Sequence, residues 1–194
     1  MNGKKKDALE KLKAQVLTCK QCPLHKKRIQ AVFGEGSYDA RIFIIGEGPG
    51  AIEDQLGRPF VGRAGKFLDH ILEKYGLSRN SNVFISNIVK CRPPENRIPT
   101  THEINSCFPY LKQQIELINP HILVLLGSTA LKSFMGTHDK ISELRGQWME
   151  INGRLLLPTF HPAAGLRNPA YKKALEKDIQ KLSDQSSRIS IASP

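Results

Sequence analysis

The chain has 194 residues, and its 29 Lys and Arg against 18 Asp and Glu give a net charge of +11. With 40% hydrophobic residues, this length is typical of one folded domain and excludes a wholly disordered chain. The longest apolar runs, such as 122–126, are far shorter than the ~20 residues of a membrane span, so we expect no transmembrane helix. Most of the charge excess lies in residues 1–30. It favours either an anionic partner or a solvated basic helix.

Helical and strand-like patterns alternate along the chain. The first helix is predicted at 7–18, where Leu9, Leu12 and Val16 recur at helical spacing. Short apolar runs typical of strands buried on both faces lie at 41–45, 83–85, 122–126 and 155–157. Further helical patterns lie at 64–75, 101–118, 128–135 and 170–182. This order favours a parallel sheet with helices on both faces. We expect one domain over 1–184 and a flexible, Ser-rich tail over 185–194.

Polar residues follow the predicted strands. In open parallel sheets, ligands bind at the carboxyl ends of the strands. The loops there begin with Gly46-Glu47, Ser86-Asn87, Gly127-Ser128 and Phe160-His161. A carboxylate, an amide and an imidazole would therefore meet in one cleft. The alternative is that each of them is an ordinary polar loop residue.

The four cysteines suggest a metal site. Cys19 and Cys22 form a C-x2-C pair, and Cys91 and Cys107 lie far along the chain. The basic start has no apolar segment after it, as a secretory signal would, so we expect an intracellular, reducing location that disfavours disulfides. Four thiolates suit structural Zn²⁺ or a 4Fe-4S cluster, and their spacing does not decide between them. Free buried thiols or reversible disulfides are the alternatives.

Four ordered motifs add a family resemblance. They are 46–50 (GEGPG), 57–62 (GRPFVG), 87–94 (NIVKCRPP) and 161–164 (HPAA). Together with the cysteines, they resemble the family 4 uracil-DNA glycosylases, over about residues 17–182. The resemblance implies a three-layer α/β/α sandwich with a mainly parallel four-stranded central sheet. It also implies a 4Fe-4S cluster, rather than zinc, held by Cys19, Cys22, Cys91 and Cys107.

The activity implied by the resemblance is base-excision repair of DNA. Such an enzyme flips uracil out of DNA and hydrolyses its N-glycosidic bond, releasing free uracil and leaving an abasic site. By the same resemblance, Phe60 stacks on the uracil, Asn87 reads its N3–H and O4 edge, and the backbone near Gly48 adds a hydrogen bond. His161 stabilises the charge that develops on O2, and Glu47 positions or activates the attacking water.

Other residues have less defined expected roles. Glu53 either assists the water, excludes thymine by crowding its C5 position, or is only a carboxylate near a helix N-terminus. Arg92, Arg97 and Arg167 are candidates for binding DNA phosphates. Leu166, just after the 161–164 motif, is the expected wedge in the DNA.

Partners follow from the same interpretation. We expect the chain to act as a monomer on uracil-containing single- or double-stranded DNA, near the nucleoid and away from membranes. Downstream abasic-site repair enzymes or a replication clamp are candidate protein partners. The alternative function is a non-catalytic iron-sulfur or zinc nucleic-acid-binding module on the same scaffold.

Overall fold

The four apolar runs form the centre of a six-stranded sheet in the structure, a computed structural model that describes residues 3–192 and the side chains of residues 3–189. The strands are β1 (Glu35–Gly36), β2 (Ile42–Gly46), β3 (Val83–Asn87), β4 (Ile122–Leu126), β5 (Met149–Ile151) and β6 (Arg154–Thr159). Their order across the sheet is β1-β3-β2-β4-β6-β5. The central strands β3, β2, β4 and β6 pair in parallel, as the alternation of elements predicts.

Two edge strands correct the expected count of four. β1 pairs with β3, and β5 pairs with β6, both in antiparallel orientation. β1 has two residues and β5 has three, and neither strand is fully buried. Such short, half-buried strands lack a continuous apolar run, so the sequence pattern does not reveal them. The α/β sandwich itself is confirmed.

Helices cover both faces of the sheet. They are α1 (Gly3–Thr18), α2 (Ala51–Leu56), α3 (Arg63–Lys74), α4 (Thr101–Ile118), α5 (Gly127–Met135), α6 (Ile141–Leu144), α7 (Pro162–Gly165) and α8 (Pro169–Ala192). Two short 3-10 helices lie at Pro23–Lys26 and Pro94–Asn96. Within residues 3–192, no helix combines the length and apolarity that crossing a membrane requires.

Each central strand contributes to two hydrophobic cores, because successive side chains point to opposite faces of a sheet. On one face, Phe43 and Phe84 pack in the core that includes buried residues of α1, α4 and α5. On the other face, Ile44 and Ile85 pack with buried residues of α3 and α8. Burial on both faces explains why these strands are almost continuously apolar. This burial also fixes the positions of the strand ends, where the polar loops start.

The last helix is longer than the predicted 170–182. α8 runs from Pro169 to Ala192, so most of the segment 185–194, where we expected a flexible tail, is helical. Ser186, Ser187 and Ser190 of this segment lie in the helix. Residues 193–194 lie outside the described part of the chain. The division into one domain and a tail stays a prediction.

A capping box begins α4 and leads to a stability prediction. The Thr100 side chain accepts a hydrogen bond from the Glu103 backbone, and the Glu103 side chain accepts one from the Thr100 backbone. We expect Thr100→Ala to lower the free energy of unfolding by about 1 kcal/mol, because it removes one of these bonds. Urea denaturation measures the change. Thr101→Ala, one residue further on and exposed, is the matched control. Equal stability of both variants would contradict the role of the cap.

Candidate active site

A cleft of about 500 Å³ opens where the parallel strands end. Glu47 follows β2, Asn87 ends β3, and His161 follows β6. All three line this cleft, together with Phe60 from the loop between α2 and α3. The structure therefore brings together four residues that lie far apart in sequence. Gly48 and Glu53 line the same cleft.

Glycines at two strand ends allow these side chains to approach closely. Gly46 lies opposite Asn87 in the pairing of β2 with β3. A Cβ on Gly46 would lie 2.5 Å from both Asn87 Oδ1 and Phe60 Cζ. A Cβ on Gly127, which follows β4 with a φ of +85°, would lie 3.0 Å from the Cβ of His161. The shape of the cleft thus depends on the lack of a side chain at Gly46 and Gly127 as well as on the side chains that line it.

Phe60 has an unusual backbone. Its φ is 51°, a left-handed conformation that costs a bulky L residue about 1–3 kcal/mol. Its ring is buried and lies 5.6 Å from the His161 ring, centroid to centroid, with 35° between the planes. Behind it, a Cβ on Gly65 would lie only 1.9 Å from the Phe60 carbonyl oxygen, so Gly65 lets α3 begin against this loop. Surrounding contacts hold Phe60 at the cleft wall.

Asn87 presents a buried hydrogen-bond acceptor at the cleft. The residue is 1% exposed, and its Oδ1 atom has no hydrogen-bond partner among the described residues. A buried acceptor without a donor costs about 1–3 kcal/mol, so such atoms are rare in native proteins. Because Asn87 lines the cleft, a ligand there with an N–H group would satisfy this oxygen.

Lys90 supports the backbone of Asn87 from inside the protein. This lysine is 1% exposed, and its Nζ donates to the Asn87 carbonyl at 2.8 Å. It also donates to Ser86 Oγ and Gln114 Oε1, both at 2.6 Å. Burial lowers the pKa of Lys90 to about 7. The three oxygen atoms that accept hydrogen bonds from this amino group are all uncharged.

His161 is neutral over the physiological range. Burial lowers its pKa to about 4, with a further lowering from Arg167 and an opposing effect of Glu53. Its Nδ1 accepts a hydrogen bond from the Ala163 backbone N–H at 3.2 Å. In the neutral ring the proton then lies on Nε2, which remains available as a donor.

Glu53 is placed as a support for the Phe60 loop. Its Oε1 accepts hydrogen bonds from the backbone N–H groups of Val61 at 2.9 Å and Gly62 at 2.7 Å. Gly62 is the N-cap of α3, so the carboxylate contacts the N-terminus of that helix. Since Glu53 also lines the cleft, its contacts leave the three expected roles open.

The four expected DNA contacts differ in position. Arg97 and Arg167 line the cleft, but Arg97 also makes a bidentate ion pair with Glu103, at 2.8 and 2.7 Å. Arg92 donates to Asn96 Oδ1 beside the cleft. Leu166 is 43% exposed at the end of α7. Arg97 is therefore a brace of its own loop as well as part of the cleft wall.

The cysteines converge at a second place. Cys19 and Cys22 follow α1, Cys91 follows β3, and Cys107 lies in α4, yet all four line one small cavity. N–H groups point at three of the sulfurs: from Arg28 to Cys91 at 2.9 Å, from the Lys90 backbone to Cys107 at 3.2 Å, and from the Gln21 backbone to Cys19 at 3.5 Å. All four cysteines are free of disulfides.

Four thiols that line one cavity form a donor set that suits either Zn²⁺ or a 4Fe-4S cluster. Among residues 3–192, no three Cys, His, Asp or Glu side chains are grouped closely enough to bind a single metal ion. Burial raises the pKa of Cys107 to about 11 and raises that of Cys91 as well. Burial thus favours the neutral thiol at both sulfurs, whereas a bound cation would favour the thiolate. N–H···S hydrogen bonds of this kind tune iron-sulfur clusters.

Sequence reasoning did not identify every residue that shapes the cleft. Lys90 reads as part of a buried, mostly apolar stretch, and nothing in the pattern ties its amino group to Asn87. The buried Arg79 forms an ion pair with the half-buried Asp69, and its guanidinium also contacts the Phe60 loop. The sequence suggests no role for Gly65, because this residue matters only through the space that its missing side chain leaves for the Phe60 backbone. These contacts join segments far apart in the chain.

Comparisons with known proteins agree on a family. The family model of the Uracil DNA glycosylase superfamily matches residues 33–183. The chain belongs to this superfamily. Relatives named type-4 uracil-DNA glycosylase include those of Thermotoga maritima, at 44% identity over 91% of this chain and 94% of the relative, and Sulfurisphaera tokodaii, at 46% over 91% and 84%. The relative of that name from Saccharolobus solfataricus is 46% identical over 92% of this chain and 86% of its own length.

Membership of the uracil-DNA glycosylase superfamily agrees with the resemblance of the four motifs. The matched region contains every residue that we place on the cleft wall and two of the four cysteines. The alignment with this chain also covers most of the length of these type-4 relatives. The family assignment of the sequence analysis is confirmed.

The ionisation of His161 gives a prediction for this site. We expect its Cε1–H NMR signal to stay constant from neutral pH to about pH 5 and to titrate near pH 4, because burial disfavours the imidazolium. His161→Gln assigns the signal. The unfolded chain binds the proton at about pH 6.5, so the associated stability is present above that pH and is lost as pH falls towards 4. Titration of the folded signal near pH 6.5 would contradict the neutral state of this half-buried ring.

Proposed function

We propose that this protein is a uracil-DNA glycosylase, which hydrolyses the bond between uracil and deoxyribose in DNA and releases free uracil. The observation that carries the proposal is the unpartnered, buried Oδ1 of Asn87, in a cleft that Phe60, His161 and Glu47 also line. The names of the type-4 relatives support the same activity. Water adds its hydroxyl to C1′, and its proton balances the departing uracil anion.

Asn87 would select uracil by its hydrogen-bonding pattern. Its Oδ1 accepts from N3–H of uracil, and its side-chain N–H donates to O4. Cytosine presents an acceptor at N3 and a donor at the neighbouring position, so it would leave the amide facing the wrong groups. Each unsatisfied buried group costs about 1–3 kcal/mol, which is enough to disfavour normal DNA. A backbone hydrogen bond near Gly48 completes this recognition.

Phe60 would hold the base after it leaves the duplex. An enzyme that acts on a base must flip it out of the stack at a cost of a few kcal/mol. Stacking of a base on an aromatic ring is worth about 1–3 kcal/mol and offsets part of this cost. The Phe60 ring is buried, so little entropy is lost when the base stacks on it.

His161 would stabilise the leaving group as a neutral donor. When the glycosidic bond breaks, negative charge develops on the uracil and on its O2 atom. With Nδ1 occupied by the Ala163 N–H, the Nε2–H donates to O2. Preorganised donors aimed at developing charge are typically the largest contribution to catalysis. Because the ring is already neutral, no proton has to be removed first.

Glu47 would act on the sugar rather than on the departing base. The sugar gains positive charge as the base leaves, and a carboxylate close to it stabilises that charge and orients water towards C1′. Glu53, whose Oε1 is occupied by the Val61 and Gly62 amides, has its second oxygen available to assist this water or to exclude thymine. Glu47 and His161 are therefore the two catalytic residues that we propose.

The rim of the cleft would bind the DNA strand. Arg167 lies next to the exposed Leu166, which we assign as the wedge that fills the gap left by the base. Arg92 and Arg97 on the facing loop would contact phosphates. Each phosphate neutralised adds about −0.9 to the slope of log affinity against log salt, so binding should be salt-sensitive.

We further propose that Cys19, Cys22, Cys91 and Cys107 hold a 4Fe-4S cluster. A tetrahedral zinc site, with Zn–S bonds of about 2.3 Å, needs its sulfurs close together. A cube of four irons and four sulfides holds its thiolates farther apart, and the resemblance to the family 4 glycosylases favours this group at the cavity that the four cysteines line. The cluster would join α1 to the loop after β3, as a scaffold.

The setting of the reaction remains part of this proposal. The protein would act as a monomer, within the cell and close to the nucleoid, on single- or double-stranded DNA. Abasic-site repair enzymes would consume its product, and a replication clamp is a candidate partner. A non-catalytic binding module is not favoured, because Glu47, Asn87 and His161 are all present on the cleft wall.

The first test of the function is release of uracil. We expect the purified protein to liberate free uracil from uracil-containing oligonucleotides and to leave alkali-labile sites. We expect Asn87→Asp to raise excision of cytosine relative to uracil about tenfold, because a protonated carboxyl can present the complementary pattern. Asn96→Asp, the same change elsewhere on the cleft wall, is the control. No uracil release at any salt concentration would refute the function. Equal loss of both activities in Asn87→Asp would refute the role of Asn87.

The cluster proposal has its own test. We expect the purified protein to be brown and to contain iron and sulfide. We expect Cys91→Ser to lose both and to give less soluble protein, because a scaffold that joins α1 to the β3 loop is lost. Ser106→Ala, which alters the same cavity without removing a sulfur, is the control. Zinc in place of iron, or a stable, colourless and fully active Cys91→Ser protein, would contradict this assignment.

A further inference from the structure

The loop that carries Phe60 is held from two sides. On one side the Glu53 carboxylate accepts the backbone N–H groups of Val61 and Gly62. On the other side a guanidinium donates to the carbonyl oxygens of the two preceding residues. That guanidinium belongs to Arg79, which lies in the connection between α3 and β3. The left-handed conformation of Phe60 lies between these two sets of bonds.

The contacts of Arg79 are short and well defined. Its Nη1 donates to the Pro59 carbonyl at 2.8 Å, and its Nη2 donates to the Phe60 carbonyl at 2.9 Å. The residue is 7% exposed. Nε and Nη2 also bond the Asp69 carboxylate of α3, at 3.0 and 2.8 Å for Oδ1. Glu35 lies further out, 3.7 Å from Nη1.

These contacts define what each side of the Arg79 guanidinium binds. Asp69 fixes its orientation from α3, which begins just after the Phe60 loop, and the other face reaches two consecutive carbonyl groups. A planar fork with five donors can make all of these bonds at once, whereas the ammonium of a lysine cannot. Since the group is buried and its donors are engaged, it does not bind phosphate. It is absent from the residues that line the cleft.

We propose that Arg79 is a positioning residue for the glycosylase reaction, acting through the backbone of Phe60. It holds the Pro59 and Phe60 carbonyls and so keeps the Phe60 ring at the wall where the flipped base stacks. Gly65 allows α3 to pack directly on the Phe60 carbonyl that Arg79 binds. The inference rests on the proposed function, since Phe60 matters only if a base enters the cleft.

A double-mutant cycle tests this inference. The variants are Arg79→Gln and Arg79→Lys, each made with Phe60 intact and in a Phe60→Ala background. With Phe60 present, we expect Arg79→Gln to lower kcat/KM for uracil release, and to weaken inhibition by free uracil, about tenfold or more, because charge-assisted bonds to two carbonyls are lost. Arg79→Lys should retain part of the activity. In the Phe60→Ala background the same change should cost less than about twofold.

A matched control separates positioning from general destabilisation. Arg154 also donates to a backbone carbonyl, that of Pro120, and to Asn119 Oδ1, but it lies at the start of β6, at the other end of the sheet from the cleft. We expect Arg154→Gln to leave uracil release and uracil inhibition unchanged. All assays are made well below the unfolding temperature of each variant, so that only folded protein is compared.

Hydrogen exchange gives a readout that needs no activity. We expect the amides of Val61 and Gly62 to exchange about tenfold faster in Arg79→Gln than in the unmodified protein, because the loop is then held from one side only. They should not change in Arg154→Gln. If Arg79→Gln does not fold, Arg79→Lys is measured by the same cycle and the same exchange experiment.

The outcomes distinguish the two proposals. Equal losses of activity in the two Phe60 backgrounds, or unchanged exchange at Val61 and Gly62, would overturn the role of Arg79 while uracil release by the unmodified protein keeps the function. If the unmodified protein releases no uracil, the proposed function fails. Exchange at Val61 and Gly62 then still decides whether Arg79 holds the loop.

Discussion

The site depends on close approach of backbone and side chains at one point, beside Gly46. This residue ends β2 directly opposite Asn87 at the end of β3, and a Cβ on it would collide with Asn87 Oδ1 and with the Phe60 ring. The missing side chain lets the Asn87 amide and the Phe60 ring meet at the edge of an otherwise apolar sheet. Any larger residue would push one of them away. The geometry of the cleft therefore depends on a glycine that is not itself among the residues lining it.

The same short stretch of chain serves two sites. Asn87 ends β3 and lines the cleft, and Cys91, four residues later, lines the cysteine cavity. Lys90 joins them, since its backbone N–H donates to Cys107 and its side chain donates to the Asn87 carbonyl. A cluster bound by the cysteines would therefore stabilise the backbone that presents Asn87. Through this link, the proposed cluster would influence base recognition as a scaffold, without taking part in the chemistry.

Much of the fold follows from sequence pattern. The central strands, the helices between them and the convergence of polar loops at the strand ends are all predictable, because burial on both faces makes strands apolar and parallel sheets place ligands at one edge. β1 and β5 were missed, because short edge strands carry no such pattern. The Ser-rich segment after residue 184 was expected as a tail and is helical to Ala192, since composition alone does not report helix continuation.

The candidate site, like the fold, has a part that the sequence predicts and a part that it does not. Glu47, Asn87 and His161 could be placed together from topology, whereas Phe60 needed the family resemblance, because an isolated phenylalanine is usually a core residue. The supports of the site could not be predicted. The Arg79 and Glu53 bonds to the Phe60 loop join segments through backbone atoms, which have no sequence signature. The double role of Arg97, which pairs with Glu103, is likewise visible only in three dimensions.

The central claim is that Asn87 Oδ1 accepts a hydrogen bond from N3–H of uracil held in the cleft. It is tested most directly by comparing inhibition of uracil release by free uracil and by 3-methyluracil, which carries a methyl group in place of that hydrogen. We expect 3-methyluracil to inhibit at least about tenfold more weakly, because the buried oxygen stays without a donor. Equal inhibition by the two compounds would contradict it.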